Sequence, residues 1–302
     1  MVLAAGRALD KAAFSPDTLP DDLVIGLALM PPVIAGLVIF KLAALEMLVV
    51  ALVGPGAPLL VSVEVAVLAV VLELVRSRYA PAVHAQPGLI AYALVAVVTR
   101  GAPFAYINPA NGRTFGDPIT IWLKFFSPGA APIDPIRLYV GNVGGPVFAT
   151  SLMAVAVGIA WLAYAKRLSP IVAVCFLLGA LIPIAYFHWD FVFQLDSGPT
   201  WFVGALILSD RRLLPGSWAA RPILGFAAGL IGLGLRSRGY GIEAMFFTVA
   251  GLQTLVALVV VLMWSIDTAT QRRERGRLLR RREEQLRAIN RSEEPVDPSA
   301  VA

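Results

Sequence analysis

Residues 244–266 read AMFFTVAGLQTLVALVVVLMWSI, a stretch without a single charged side chain. Its apolar residues occupy every face and not one stripe, as they would in an amphipathic helix of a soluble domain. At 1.5 Å per residue, a helix of this length crosses a hydrocarbon core of roughly 30 Å with some tilt. Backbone N–H and C=O groups in lipid must find partners within their own segment, so such a run is expected to be a helix. The alternating ten-residue pattern of a membrane β-barrel is absent.

The rest of the chain agrees with this segment. Of 302 residues, 58% are hydrophobic and 15% charged, and the mean hydropathy is +0.76. Soluble domains carry about 25% charged residues, so a polytopic all-α membrane protein is expected, with no sizeable soluble domain. Apolar runs recur at Leu23–Ile39, Leu42–Val53, Leu59–Val75, Val147–Ala165, Ile171–Phe187 and Ile223–Leu235. Two shorter runs, Gly88–Val98 and Trp201–Leu208, are below spanning length. About eight to ten membrane segments are expected, some of half length. The turn Gly54–Pro58 separates two runs, and Ser169-Pro170 reads as a helix N-cap followed by a first-turn proline.

The pattern divides the chain into an N-terminal segment 1–22, a membrane domain 23–266 and a basic tail 267–302. No secretory signal is expected, because Arg7, Asp10, Lys11, Asp17, Asp21 and Asp22 precede the first apolar run. The tail carries Arg272, Arg273, Arg275, Arg277, Arg280, Arg281, Arg282 and Arg287 in a helix-favouring stretch. Basic flanks stay inside, which puts the C-terminus in the cytoplasm. Tracing back, Lys166-Arg167 and Arg211-Arg212 also fall inside; Arg236 and Arg238 fall outside, against the rule. Pro87–Ala96 (PGLIAYALVA) lines up with Pro199–Leu208 (PTWFVGALIL), which suggests two repeats, about 23–136 and 137–266. Paired short, Pro-flanked segments are a mark of inverted-repeat transporter and channel folds. Half-helices end at membrane depth, so their free backbone groups must face a cavity or a ligand.

Soluble-enzyme motifs are missing: there is no P-loop, dinucleotide glycine fingerprint, zinc HExxH or nucleophile elbow. Cys175 is alone, which excludes an intrachain disulfide, and it reads as a small core residue. His84 and His188 stand at segment ends and read as interfacial. Glu46, Glu64 and Glu73 lie in or beside apolar runs, where a carboxylate must face a cavity, a partner or a helix end; a proton or cation role is open for Glu64. Stronger signals are four clusters of small and polar residues. They are Asn108-Pro109-Ala110 with Gly112-Arg113; Gly141 to Gly145 continued by Thr150-Ser151; Asp196 to Thr200 running into Ser209-Asp210; and Arg236 to Glu243. Glycines admit close backbone approach, while Asn, Thr and Ser supply hydrogen bonds to a phosphate or a flavin ring.

In order and spacing these clusters resemble the RnfD/NqrB family, the flavin-carrying membrane subunits of Rnf and Na+-translocating NADH:quinone oxidoreductase complexes. Asn108 to Arg113 is similar to the family's Asn-Pro-Ala followed by Gly-Arg. Gly141 to Ser151 is similar to its Gly-Asn-x-x-Gly-Ser-x-Gly-Glu-Thr-Ser element, with Ala149 in place of the Glu. Ser197 to Asp210 resembles its Ser-Gly-Gly segment leading to Ala-Thr-Asp-Pro, and Gly239 to Glu243 its Gly-Gly-Tyr-Pro-Glu. Leu29-Met30-Pro31-Pro32 fits the family's first helix. The resemblance spans about Leu23 to Leu258.

The resemblance implies a urea-transporter-like inverted-repeat fold and an FMN held through a phosphoester to threonine in a Ser/Thr-Gly-Ala-Thr motif. In this chain Thr120 fits by position and Thr200, in Ser197-Gly198-Pro199-Thr200, by local sequence; neither fits by both. The FMN-binding residues implied are Thr120, Thr200, Asn108, Arg113, Asn142, Gly145, Thr150, Ser151, Ser197, Gly198, Asp210, Tyr240 and Glu243. Function would then be electron relay in an ion-translocating complex of the bacterial cytoplasmic membrane, as one subunit and not as a stand-alone enzyme. Its partners would be other membrane and redox subunits and the lipid bilayer, with no nucleic acid. A small-solute transporter or channel of the same fold, and a structural subunit without flavin, are the alternatives.

Overall fold

The computed structural model describes residues 19–51, 58–80, 83, 85–99, 106, 116–125, 133–146 and 149–292. Most of these residues are helical, and none of them forms an extended strand. The long helices are α1 (Asp21–Ala51), α2 (Pro58–Tyr79), α7 (Pro170–Tyr186), α10 (Ala220–Gly234) and α11 (Glu243–Ser292). Between them stand α3 (Pro87–Val98), α4 (Pro118–Phe125), α5 (Pro135–Val140), α6 (Leu152–Tyr164), α8 (Phe191–Leu195) and α9 (Gly198–Trp201). Helix α9 passes directly into a π-helical stretch, Phe202–Ile207. Two compact units are present, residues 1–256 and 257–302. Among described residues, the second is the C-terminal portion of α11, with Leu258, Met263 and Trp264 exposed.

Leu23–Ile39 and Leu42–Val53 are expected as separate segments, but residues 21–51 form one helix that contains Pro31 and Pro32. Only Phe40-Lys41 separates the two runs, and a lysine favours helix as well as most residues do. The turn Gly54–Pro58 falls largely outside the described residues. Helix α7 begins with Pro170 at its first position, as the sequence suggests, although the Ser169 side chain makes no capping bond. Helix α6 starts several residues later than its apolar run, where the Ser151 side chain accepts from Ala154 N at 3.3 Å. The region Gly101–Gly145 holds two short helices, α4 and α5, that hydropathy alone does not reveal.

Small residues set the packing. Helices α7 and α10 lie against one another over most of their length. A Cβ at Gly225 would strike Val172 O; at Gly229 it would strike Phe176 O and, at 2.7 Å, Ala180 N. Gly225 and Gly229 are one turn apart, the small-xxx-small spacing that lets two helix backbones touch. The same device joins α1 to α6, where Gly158 abuts Ala28 O and Trp161 Nε1 donates to Val24 O at 3.0 Å. Around α7 and α10 a core of Phe176, Phe193, Trp122, Leu233, Met245 and Val249 closes.

The basic turns after α6 and after the π-helix are tied together. Arg211 N donates to Arg167 O at 2.9 Å, and Ser169 N donates to Ser209 O at 2.8 Å. The two pairs of charges expected on one side therefore share one end of the first unit.

Candidate functional site

Three of the four clusters meet beside the start of α11. Helix α4 opens on Asp117, whose Oδ1 accepts from Ile119 N at 2.9 Å and Thr120 N at 3.0 Å. This carboxylate satisfies two amide donors that a helix start leaves free. Thr120 Oγ1 donates to the other carboxylate oxygen, Oδ2. Both oxygens lie at the bare Cα of Gly241: a Cβ there would collide with Thr120 Oγ1, stand 2.6 Å from Asp117 Oδ2 and 2.9 Å from Glu243 Oε2. Three oxygen-bearing side chains thus converge where only glycine leaves room.

Arg236 supplies the opposite charge. It sits in a short 3-10 turn at the end of α10 and is completely buried. Its Nη1 donates to Gln194 Oε1 at 2.6 Å and to Gln194 O at 3.3 Å, and its Nη2 donates to Thr200 Oγ1 at 2.7 Å. One guanidinium therefore joins α8, α9 and α10, with Asp117 and Glu243 close enough to attract it electrostatically. A buried charge needs hydrogen bonds and nearby opposite charge; Nη1 and Nη2 have the first from neutral partners, the two carboxylates supply the second, and Nε is buried without a hydrogen-bond partner.

A third wall comes from the segment after α5. Gly141 adopts φ 92°, and a Cβ there would meet the Ser151 backbone at 2.6 Å. At Gly198 a Cβ would strike the carbonyls of Ala149 and Thr150. A cavity of about 10 Å³ remains, with Thr150, Ser197, Gly198, Gly144 and Ile242 in its lining. Thr150 Oγ1 is buried there without a hydrogen-bond partner. That volume holds about one water molecule. Beside the seam stands an aromatic wall: Trp122 meets Trp189 edge-on at 5.9 Å and Phe193 at 5.7 Å, and Trp189 stacks on Phe187 at 5.0 Å.

Of the residues proposed from sequence, Thr120, Thr200, Gly145, Thr150, Ser151, Ser197, Gly198 and Glu243 line this seam or its immediate walls. Asn142 and Tyr240 are exposed. Asp210 is buried at the other end of the π-helix, where it accepts from Arg212 N at 3.1 Å and faces a separate cavity of about 90 Å³ with Gln86 and Leu206. Asn108 and Arg113 lie outside the described residues. Asp117, Gln194, Arg236 and Gly241 are absent from the proposed set. Asp117 before Pro118 carries an N-cap signature that could have pointed to it. Nothing local marks Gln194, which lies among aromatic residues.

Burial of Arg236 removes one of the two residues that stand against the charge pattern, while Arg238 is exposed. The rule that basic residues remain inside counts flanking loops, and a guanidinium locked within the protein is not part of that count. Neither a protein-family model nor a curated protein matches this chain.

Proposed function

We propose that the chain is a polytopic integral membrane subunit of an ion-translocating electron-transport complex, similar to RnfD/NqrB, with the Asp117–Arg236–Glu243 seam at its centre. Two helical stretches, 23–40 and 243–266, are long and apolar enough to cross a membrane, and their windows are only 28% and 33% buried. Core helices of a soluble protein of such hydropathy would be mostly enclosed, so this exposure supports a lipid environment. The remaining crossings, the repeat and the bacterial cytoplasmic membrane belong to the same reading. The observation that carries it is the convergence of three separated sequence clusters on one buried charged seam. A lipid-immersed protein retains such charges where they serve a ligand or an ion.

Thr120 and Thr200 differ as points of attachment for FMN. Thr200 is wholly enclosed and accepts a hydrogen bond from Arg236, with no space beside it for a three-ring system. Thr120 is only half-buried, and its hydroxyl already points its proton at a carboxylate. Thr120 is therefore the residue that would hold the flavin phosphate. When bound, the flavin supplies electron transfer, and the chain supplies a fixed, water-poor surrounding with one buried cation. The protein's own role is positional: Asp117 orients the Thr120 hydroxyl, and Arg236 offsets the two carboxylates.

The test is fluorescence of the full-length protein on a denaturing gel after co-expression with a flavin transferase. A flavin band that persists in Thr200→Val and disappears in Thr120→Val supports the reading. A band lost only in Thr200→Val contradicts the assignment. A colourless wild-type protein that co-purifies with redox subunits selects the structural subunit, a reading favoured by the closed seam in which Thr120 is already paired.

A further inference from the structure

We infer that the first arginines after the apolar span of α11 bind anionic phospholipid head groups, which gather around that helix where it leaves the bilayer. The inference rests on the membrane reading above. The apolar stretch of α11 ends at Ile266, and the helix continues unbroken to Ser292. Arg272, Arg273, Arg275 and Arg277 follow within about three turns of that end. From Asp267 to Ser292 the acids are Asp267, Glu274, Glu283 and Glu284, set among far more arginines. The excess of positive charge in this stretch equals the net charge of the whole chain, +5. Everything before it is electrically balanced.

Distance favours head groups as the partner. At 1.5 Å per residue, Arg272 stands roughly 9 Å beyond Ile266 and Arg277 roughly 16 Å. Each head-group layer reaches about 5–7 Å outside the hydrocarbon. Cα–Cβ bonds of a helix tilt toward its N-terminus, which for this stretch is the direction of the bilayer. The long stem of an arginine lets its charge reach back to a phosphate, and a guanidinium grips phosphate through two parallel hydrogen bonds. Arg275 and Arg277 are exposed to do so. Direction separates lipid from protein. At about 100° per residue, the four arginines spread over more than half the circumference of the helix and form no single face. A protein docks on one side, whereas lipid surrounds a helix. A second copy of this stretch would bring like charges together, which is costly. An anionic membrane surface instead attracts each such arginine by about 1 kcal/mol.

Trp264, exposed and just before the end of the span, is a built-in reporter. The full chain is reconstituted in phosphatidylcholine vesicles with an equal minor share of either brominated phosphatidylglycerol or brominated phosphatidylcholine. Bromine quenches tryptophan on contact, and subtracting the signal of Trp264→Phe isolates Trp264. The share of phosphatidylglycerol around it is expected to be about fivefold above the bulk share, the enrichment that about 1 kcal/mol gives. High salt brings it toward the bulk value, because the screening length shrinks to about 3 Å at 1 M. Arg272→Gln, Arg273→Gln, Arg275→Gln and Arg277→Gln combined abolish the enrichment. Arg280→Gln, Arg281→Gln, Arg282→Gln and Arg287→Gln combined remove as much charge farther out and leave most of it. A local share equal to the bulk share overturns the inference, and an acidic protein is then the partner of this stretch. Enrichment that ignores salt, or that the two combined variants reduce equally, overturns it as well. Extraction of the chain from the vesicles by alkaline carbonate overturns the membrane reading too. Retention with no enrichment overturns only the lipid shell.

Discussion

Arg236 is the residue on which the seam depends. Its three hydrogen bonds and two neighbouring carboxylates leave no neutral substitute of equal effect. Arg236→Met removes the only cation found here among the described residues and leaves Asp117 and Glu243 uncompensated. A loss of about 3–5 kcal/mol is expected, read as a lower unfolding midpoint in detergent. Gly241→Ala acts on the same seam by volume, since its Cβ would enter the space held by Thr120 Oγ1 and Asp117 Oδ2. Overpacking of this kind costs about 1–3 kcal/mol, and a midpoint equal to wild type would refute the close approach. At this scale the sequence was legible wherever a small residue neighboured a hydroxyl, as in Thr150-Ser151 and Ser197-Gly198. It was not legible for Gln194, and Arg236, although it opens the fourth cluster, gave no sign of its partners, which stand 36 to 42 positions away. Only folding makes neighbours of them. Tyr240 and Asn142 carry the right residue types, yet their side chains face outward.

The helices follow from hydropathy more closely than from capping rules. Apolar runs near 170–187 and 223–235 became α7 and α10 with small shifts at their ends. Lys41 suggested a break that the backbone does not make, because one charge does not terminate a helix without a turn residue beside it. Packing between helices was partly readable from glycine spacing. The GxxxG pair Gly225 and Gly229 marks a face, though not the partner that covers it. Gly229→Ala should force α10 away from Phe176 O and lower the midpoint by the equivalent of about 1–3 kcal/mol. Gly251→Ala is the matched control, because a Cβ there meets nothing within 4 Å. Relief of glycine's poor helix propensity should raise stability by up to about 1 kcal/mol. Equal effects of the two substitutions would mean that α7 and α10 do not touch through Gly229.

For the molecule as a whole, two expectations concern sidedness and charge. Lys166-Arg167 and Arg211-Arg212 are joined by backbone hydrogen bonds, so they must lie on one side of any membrane. Cysteines placed singly at Lys166 and Arg211, in a chain with Cys175→Ser, should both be protected from a membrane-impermeant thiol reagent added outside intact cells. A reporter at the C-terminus that fluoresces only in the cytoplasm should agree with them. Labelling of one site and not the other would contradict the shared end. Composition made the helical, strongly apolar character legible from the start, whereas the seam emerged only when distant clusters were brought together. Its unity is best measured by combining Arg236→Met with Asp117→Asn and following unfolding midpoints of the purified full chain. Coupled charges predict that the double variant is more stable than the sum of the single losses implies, by about 1–3 kcal/mol. Strictly additive losses would show that Arg236 and Asp117 do not share one site.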